Sequence, residues 1–500
     1  MTTFRWGAPA DAVTLPSTVR DLLTSALGVT GPRPAAEPEL TPPAPLPAFP
    51  GLDTSTDARL RHAGGMSTED LLTGRSGAVP DAPDGVARPT THDEVVEVLR
   101  IAGEHRIAVV PHGGRTSVVG GLRAVREGYA GVLALDLSGL DRLVRLDKTS
   151  RTATFEAGVA APKAEEMLNA EGFTLGHFPQ SFEFATIGGF AATRSSGQAS
   201  AGFGRFDQMV VGLRAATGAG SLDLGKAPQS AAGPDLRQLL LGSEGAFGVV
   251  TEVTVRIRPL RELTYTGWAF PSFEAGMQAV RALAQDGPLP AVLRLSDEAE
   301  TMINAATGAS DANGGCLAIV GWFDGAADPS ARLTELGAEP LGEAPGKAWE
   351  AGRFRAPYLR DALLDAGALA ETLETATFWD RLPETYSSVR DALVNTLGDA
   401  GTPPIVMCHI SHVYETGASL YYTVVAAQAE DPIAQWRSAK TAAGDAISAS
   451  GATITHHHGV GRDHKAWYAT EIGPVGVAML HAVKQATDPH NVLNPGILLP

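Results

Sequence analysis

The run Thr455-His456-His457-His458-Gly459 sets three imidazoles side by side, the one side chain that titrates near neutral pH without help. In an extended segment His456 and His458 would share one face and His457 the other. A zinc site would need further ligands at suitable spacing, and no H-E-x-x-H is present, so no metal is expected. Taken alone, the triplet is also what an exposed histidine run with no role looks like. The stretch Ser411–Thr423 reads as two strands around a turn and carries Tyr421 and Tyr422. Successive strand residues face opposite ways, so only one of the two phenols can enter a given site. Arg294 and Arg360 lie between these features and the N-terminal half; a guanidinium suits a phosphate dianion through paired hydrogen bonds.

A second group of residues offers backbone rather than side-chain chemistry. Pro111-His112-Gly113-Gly114-Arg115-Thr116-Ser117 supplies consecutive N–H groups, two residues without Cβ and two hydroxyls, a set that can cradle a phosphate. It is neither G-x-G-x-x-G nor a Walker loop. Gln180-Ser181-Phe182-Glu183-Phe184-Ala185-Thr186 and Thr193-Arg194-Ser195-Ser196 are further hydroxyl-bearing loops, and Glu244-Gly245-Ala246-Phe247-Gly248-Val249-Val250 opens a strand. Several such loops in one chain suggest one large polyphosphate cofactor.

These residues need elements to hold them. The Thr91-His-Asp-Glu94 capping box starts an amphipathic helix in which Val95, Val98, Leu99 and Ala102 recur at helical spacing. Ile107–Val110 is a short β-branched strand running into the first glycine loop, at the end where α/β sheets bind ligands. Strands are predicted over 132–137, 152–159, 249–258, 314–323 and 404–412, and helices over 17–27, 161–170 and 369–382. Residues 31–50 hold 8 of the 34 prolines, which predicts an extended or disordered linker with ordered structure starting near Leu60. The expected division is 1–59 as N-terminal segment and linker, 60–260 as cofactor domain, and 261–500 as cap domain with a C-terminal segment lining the site.

With 39 basic and 56 acidic residues the net charge is −17, which disfavours a nucleic-acid partner. Cys316 and Cys408 form neither a CxxC pair nor a disulfide framework, which suits a reducing compartment. No basic and apolar leader opens the sequence, and no apolar run approaches the ~20 residues of a membrane span. A cytoplasmic protein is the expectation.

The segments PHGGRTSVVGGL, GHFPQSFEFATIGGF, GSEGAFGVVTEVTVRIRP and ITHHHGVG together resemble the vanillyl-alcohol oxidase, or PCMH-type, FAD-binding flavoproteins. Within that family the likeness is to the alkyl-dihydroxyacetonephosphate synthases, the enzymes of ether-lipid synthesis, and it covers roughly residues 80–495. The resemblance implies an α+β fold: a two-lobed PCMH-type FAD-binding domain plus an α/β cap over the isoalloxazine. It implies that the four loops above bind FAD. Arg115 stands where covalent members carry histidine after the two glycines, so the FAD is expected to be non-covalent; His112 lies before the glycines, off that position.

The resemblance further implies that Tyr421 is the acid/base residue, that His456, His457 and His458 line the site, that Arg294 matters for activity and that Arg360 contacts substrate. Cations from Arg360 and the triplet would lower the pKa of Tyr421. The implied activity exchanges the acyl chain of acyl-dihydroxyacetone phosphate for a fatty alcohol, with no net redox change. The alternative on the same fold is an FAD-linked dehydrogenase or oxidase of a 2-hydroxy acid or alcohol. The implied partner is a small lipid substrate, with membrane-surface contact and a homodimer as further expectations, although no basic amphipathic helix announces the former.

Overall fold

The computed structural model describes residues 4–33, 35–79, 82–306 and 314–499. Three larger sheets organise them, beside a two-stranded ribbon of Phe173–Thr174 with Arg258–Pro259. A parallel three-stranded sheet runs in the order Gly85–Ala87, Gly131–Asp136, Ile107–His112, and every residue of its central strand is buried. An antiparallel five-stranded sheet follows, ordered Leu143–Asp147, Thr152–Glu156, Val249–Arg256, Val210–Thr217, Gly220–Leu224. The third is an antiparallel seven-stranded sheet. Its order is Glu339–Gly342, Leu263–Phe270, Cys316–Phe323, Val292–Ser296, Ile405–Ile410, Gly417–Ala427, Ala368–Phe378.

The predicted helix after Thr91 is present as His92–His105, and the Thr91 hydroxyl accepts a hydrogen bond from the Glu94 amide. It packs Val95, Val98, Leu99 and Ala102 against the parallel sheet, together with Ile107, Val109, Leu133 and Leu135. Ile107–His112, an edge strand of this sheet, is therefore held in an apolar layer and delivers the glycine loop at its C-terminal end.

Two expectations about elements fail. Residues 369–382 are not a helix: Ala368–Phe378 is an edge strand paired along its whole length with Gly417–Ala427. Its Ala, Leu and Glu content favours helix. Pairing with the long neighbour and burial of Leu369 and Leu373 override that preference. Nor does order begin near Leu60. Ser17–Leu27 is a helix whose Leu23 and Leu27 pack on Leu363, Ala370 and Val425. The proline-rich stretch is extended, but Phe49 is buried and the Ala44 amide donates to Asp84.

Among the described residues no helix is long and apolar enough to cross a membrane. Cys316 and Cys408 are both free and buried.

Candidate active site

A cleft enclosing about 1590 Å³, open mouth included, runs between the glycine loops and the seven-stranded sheet. Its floor is the Pro111–Ser117 loop. A Cβ on Gly113 would lie 2.5 Å from Thr186 Oγ1, and one on Gly114 would run into the Phe184 carbonyl oxygen. Two chain segments thus meet at a distance only glycine permits. Arg115 has φ 58°, the left-handed region that glycine takes most easily. Thr186 caps the next helix by accepting from the Gly189 amide at 3.2 Å.

Glu244, also left-handed at φ 50°, turns its carboxylate onto the Val460 and Gly461 amides at 3.0 and 2.9 Å. Asn494 closes this corner, its Nδ2 donating to the Gly121 and Glu244 carbonyls. Burial raises the Glu244 pKa to about 7 against the pull of those amides.

This cradle fits a large cofactor on its own evidence. Beyond the glycines, Gln180 Nε2, His112 Nδ1, and Nε and Nη2 of Arg360 are buried with no partner among the described residues. All three residues line the cleft. Buried polar atoms without partners at a cleft wall are groups that a ligand can satisfy. Burial drives the His112 pKa well below the ordinary histidine value, helped by His62 and Arg115, and the His62 ring lies 5.1 Å away.

Not every residue of the predicted loops reaches the cleft. Phe182 stacks on Phe354, Phe184 packs against Trp6, and Glu183 bonds Tyr358. Arg194 turns to the Leu241 carbonyl, Gln238 and Asp207. Ala246 and Phe247 are core residues. Thr193, Ser195, Ser196, Gly245, Gly248, Val249 and Val250 do line it.

Opposite the cradle stands Tyr421. The sheet register places Glu374 beside it on one neighbouring strand and His409 beside it on the other. Paired residues share a face. The His409 ring stacks on Tyr421 at 4.8 Å and 19°. Tyr422 points the other way into the core and donates to the Thr385 and Tyr386 carbonyls. Burial raises the Tyr421 pKa, and the Thr372 hydrogen bond and Arg360 only partly offset it. The expected lowering by cations therefore does not occur in the protein alone. The reason is that the burial of Tyr421 itself outweighs Arg360, and the nearby Glu374 and Glu371 add to the rise.

The histidine triplet is not extended. Glu374, 2% exposed, collects the Thr455 hydroxyl at 2.5 Å and the amides of His456, His457 and His458 at 2.6, 3.2 and 2.9 Å. Folding three successive amides onto one carboxylate bends the segment, so it is His457 and His458 that line the cleft. His456 sits behind them, its Nε2 2.6 Å from the Tyr414 hydroxyl and its Nδ1 3.0 Å from His457 Nδ1.

Burial opposes the charge on Glu374, but the three imidazoles and the Thr455 hydroxyl outweigh it and hold the carboxyl well below its usual range. Burial pushes the imidazoles down in turn, His456 and His458 furthest. One ligand nitrogen each of His412, His456 and His457 lies within 4.8 Å of the others. His412 Nδ1 lies 2.7 Å from Ser200 Oγ.

Arg360 enters the cleft from the helix Ala356–Asp365 and spends only Nη1, on the Met66 carbonyl at 2.8 Å. Its sequence neighbour Asp361 serves Arg75 and the Trp6 amide instead. Arg294 does not line the cleft. It holds Glu300 at 2.7 Å and His409 Nδ1 at 2.9 Å, and so reaches Tyr421 only through the stacked His409 ring. Glu374, His409, Asn494 and Trp6 carry no local sequence signal that singles them out. Recognising 368–378 as a strand is the step that turns Glu374 inward.

Comparisons with known proteins agree with this geometry. Residues 83–223 match the FAD binding domain family, and residues 260–498 match the C-terminal domain of FAD linked oxidases. The cofactor is FAD. The chain is 33% identical over 477 residues to the alkyldihydroxyacetonephosphate synthase of Trypanosoma brucei brucei, covering 89% of this chain and 77% of that one. It is 31% identical to that of Dictyostelium discoideum, with the same shares covered. A solved alkyldihydroxyacetonephosphate synthase structure superposes with a TM-score of 0.85 at 27% identity, over 99% of this chain and 98% of that one. Substrate-bound p-cresol methylhydroxylase, at 15% identity and TM-score 0.66 over 89% and 93% of the two chains, shares the fold. The chain belongs to the alkyldihydroxyacetonephosphate synthase family of FAD-linked flavoproteins.

Proposed function

We propose that this protein replaces the acyl chain of acyl-dihydroxyacetone phosphate with a fatty alcohol, giving the ether lipid precursor and a free fatty acid. The observation that carries the reading is the convergence of Tyr421, His457, His458 and the open guanidinium of Arg360 in the cleft that the FAD loops border. In the exchange the bond between the glycerone carbon and the ester oxygen breaks. A bond from the same carbon to the alcohol oxygen forms, and the alcohol proton leaves with the carboxylate. FAD, when bound, supplies a ring that can take up and return an electron pair, so the exchange needs no external oxidant.

The chain's own residues place the reactants and move the proton. Arg360 offers Nε and Nη2 to the phosphate-bearing headgroup as a paired donor. Tyr421, held as a phenol by burial, has a proton to give to the departing carboxylate and can recover one from the incoming alcohol. The neutral imidazoles of His457 and His458, which line the cleft beside Tyr421, are the relay, and Glu374 fixes the backbone that carries them.

We assign residues 60–260 to cofactor binding and 261–500 to the cap, and read the FAD as dissociable because Arg115 has no nucleophilic nitrogen at neutral pH. We further propose peripheral contact with the membrane surface that holds the lipid substrate. The test is incubation of the FAD-loaded protein with palmitoyl-dihydroxyacetone phosphate and hexadecanol. Equal amounts of hexadecyl-dihydroxyacetone phosphate and palmitate are expected; acid-precipitated protein should release its FAD to the supernatant.

A further inference from the structure

Residues 4–6 are latched to the helix that carries Arg360. Arg5 forms a two-point ion pair with Asp365 at 2.6 and 2.9 Å. The Trp6 amide donates to Asp361 at 2.6 Å, and the Phe4 carbonyl accepts from Arg75. Asp361 and Asp365 lie on the Ala356–Asp365 helix, so the same helix that anchors the segment also positions Arg360.

The latch carries Trp6 into the wall of the cleft. The residue is 4% exposed and its ring meets Phe184 edge-on at 5.3 Å and 86°. Its Nε1 is buried and has no hydrogen-bond partner among the described residues. An indole N–H can only donate, and so can a guanidinium. Two elements distant in sequence thus bring unspent donors to one cleft, where a ligand rich in acceptor oxygens would satisfy both.

We propose that the indole N–H of Trp6 is a second donor to the phosphate of the substrate headgroup, beside Arg360. This inference rests on the function proposed above. It gives the segment before the FAD domain a part in specificity, the recognition of the phosphate end of the lipid rather than its chain.

The test replaces Trp6 by phenylalanine, and in a second protein by benzothienylalanine, which keeps the indole shape and lacks only the N–H. Both are measured as FAD-loaded full chains. A lost hydrogen bond to a charged group predicts a KM for acyl-dihydroxyacetone phosphate raised about 10-fold or more. Inhibition by inorganic phosphate should weaken in parallel, with kcat, the KM for hexadecanol and the flavin content unchanged. An unchanged KM in the benzothienyl protein overturns the proposal. So does weakened FAD binding at constant KM, since the donor then serves the cofactor. A wild-type protein with no exchange activity, but with phosphate binding that depends on the Trp6 N–H, would separate failure of the function from failure of the subsite.

Discussion

His457 Nδ1 lies 3.4 Å from Glu374 Oε2, and the same carboxylate takes the main-chain amides of three consecutive histidines. A single buried acid therefore sets both the shape and the charge balance of the histidine loop that faces Tyr421.

Glu374→Gln tests this directly. The amide has one acceptor oxygen in place of two and no charge, so the loop loses part of its anchor and His457 loses the negative charge that favours its protonated form. Turnover should fall by about 10-fold or more. The acidic limb of the pH–rate profile should also move, because the imidazoles then lose the one group that favours their protonated form. FAD absorbance should be retained. A Gln variant with wild-type rate and an unmoved profile would show Glu374 to be structural filling.

Tyr421→Phe removes one hydroxyl and almost no volume. Turnover should drop at least about 100-fold with FAD and fold intact. Because burial raises the Tyr421 pKa, wild-type activity should persist beyond the ordinary tyrosine range near ~10 before falling. Tyr422→Phe is the control: it loses hydrogen bonds to the Thr385 and Tyr386 carbonyls in the core, so it should cost stability rather than rate. Equal rate losses in both would remove Tyr421 from the chemistry.

Gly114→Val should abolish FAD binding, since any Cβ there meets the Phe184 backbone and separates the two loops that form the cradle. Flavin absorbance after gel filtration, with circular dichroism as the check on folding, measures it. Full flavin occupancy would make the loop a plain turn.

Glu244 predicts a pH-dependent stability in the FAD-free chain. Its folded pKa is raised to about 7 from the ordinary 4.5, so from pH 4.5 to 7 the unfolded chain is ionised there and the folded chain is not. Stability is full below that window and is lost as pH rises through it, by at most about 1.4 kcal/mol per unit. Glu244→Gln lacks this loss. Denaturant melts at pH 5 and pH 7 should show the variant gaining on the wild type at the higher pH; a constant difference would contradict it.

The cofactor half is legible in the sequence because its message is carried by the main chain. Gly113 and Gly114 are informative whatever surrounds them, and the helix after Thr91 announces itself by cap and spacing. The cap half is less legible. Glu374 sits in a stretch whose composition favours helix and becomes a strand only through pairing with 417–427, a long-range fact. The shape of the histidine loop depends on that same residue. His409 and Arg294 act on Tyr421 through stacking across strands, which no local pattern encodes. Trp6 is hidden because its segment precedes a proline-rich stretch that local composition marks as a linker.

The central claim is an exchange at the glycerone carbon with no net oxidation, and oxygen labelling tests it most directly. The FAD-loaded protein is given unlabelled palmitoyl-dihydroxyacetone phosphate and hexadecanol carrying oxygen-18, under anaerobic conditions without an electron acceptor. The account predicts that the ether product retains the labelled oxygen, that palmitate is released in equal amount without label, and that the flavin absorbance is unbleached at the end. Bleaching of the flavin by hexadecanol or by a 2-hydroxy acid, with no labelled ether formed, would contradict it and make the protein a dehydrogenase.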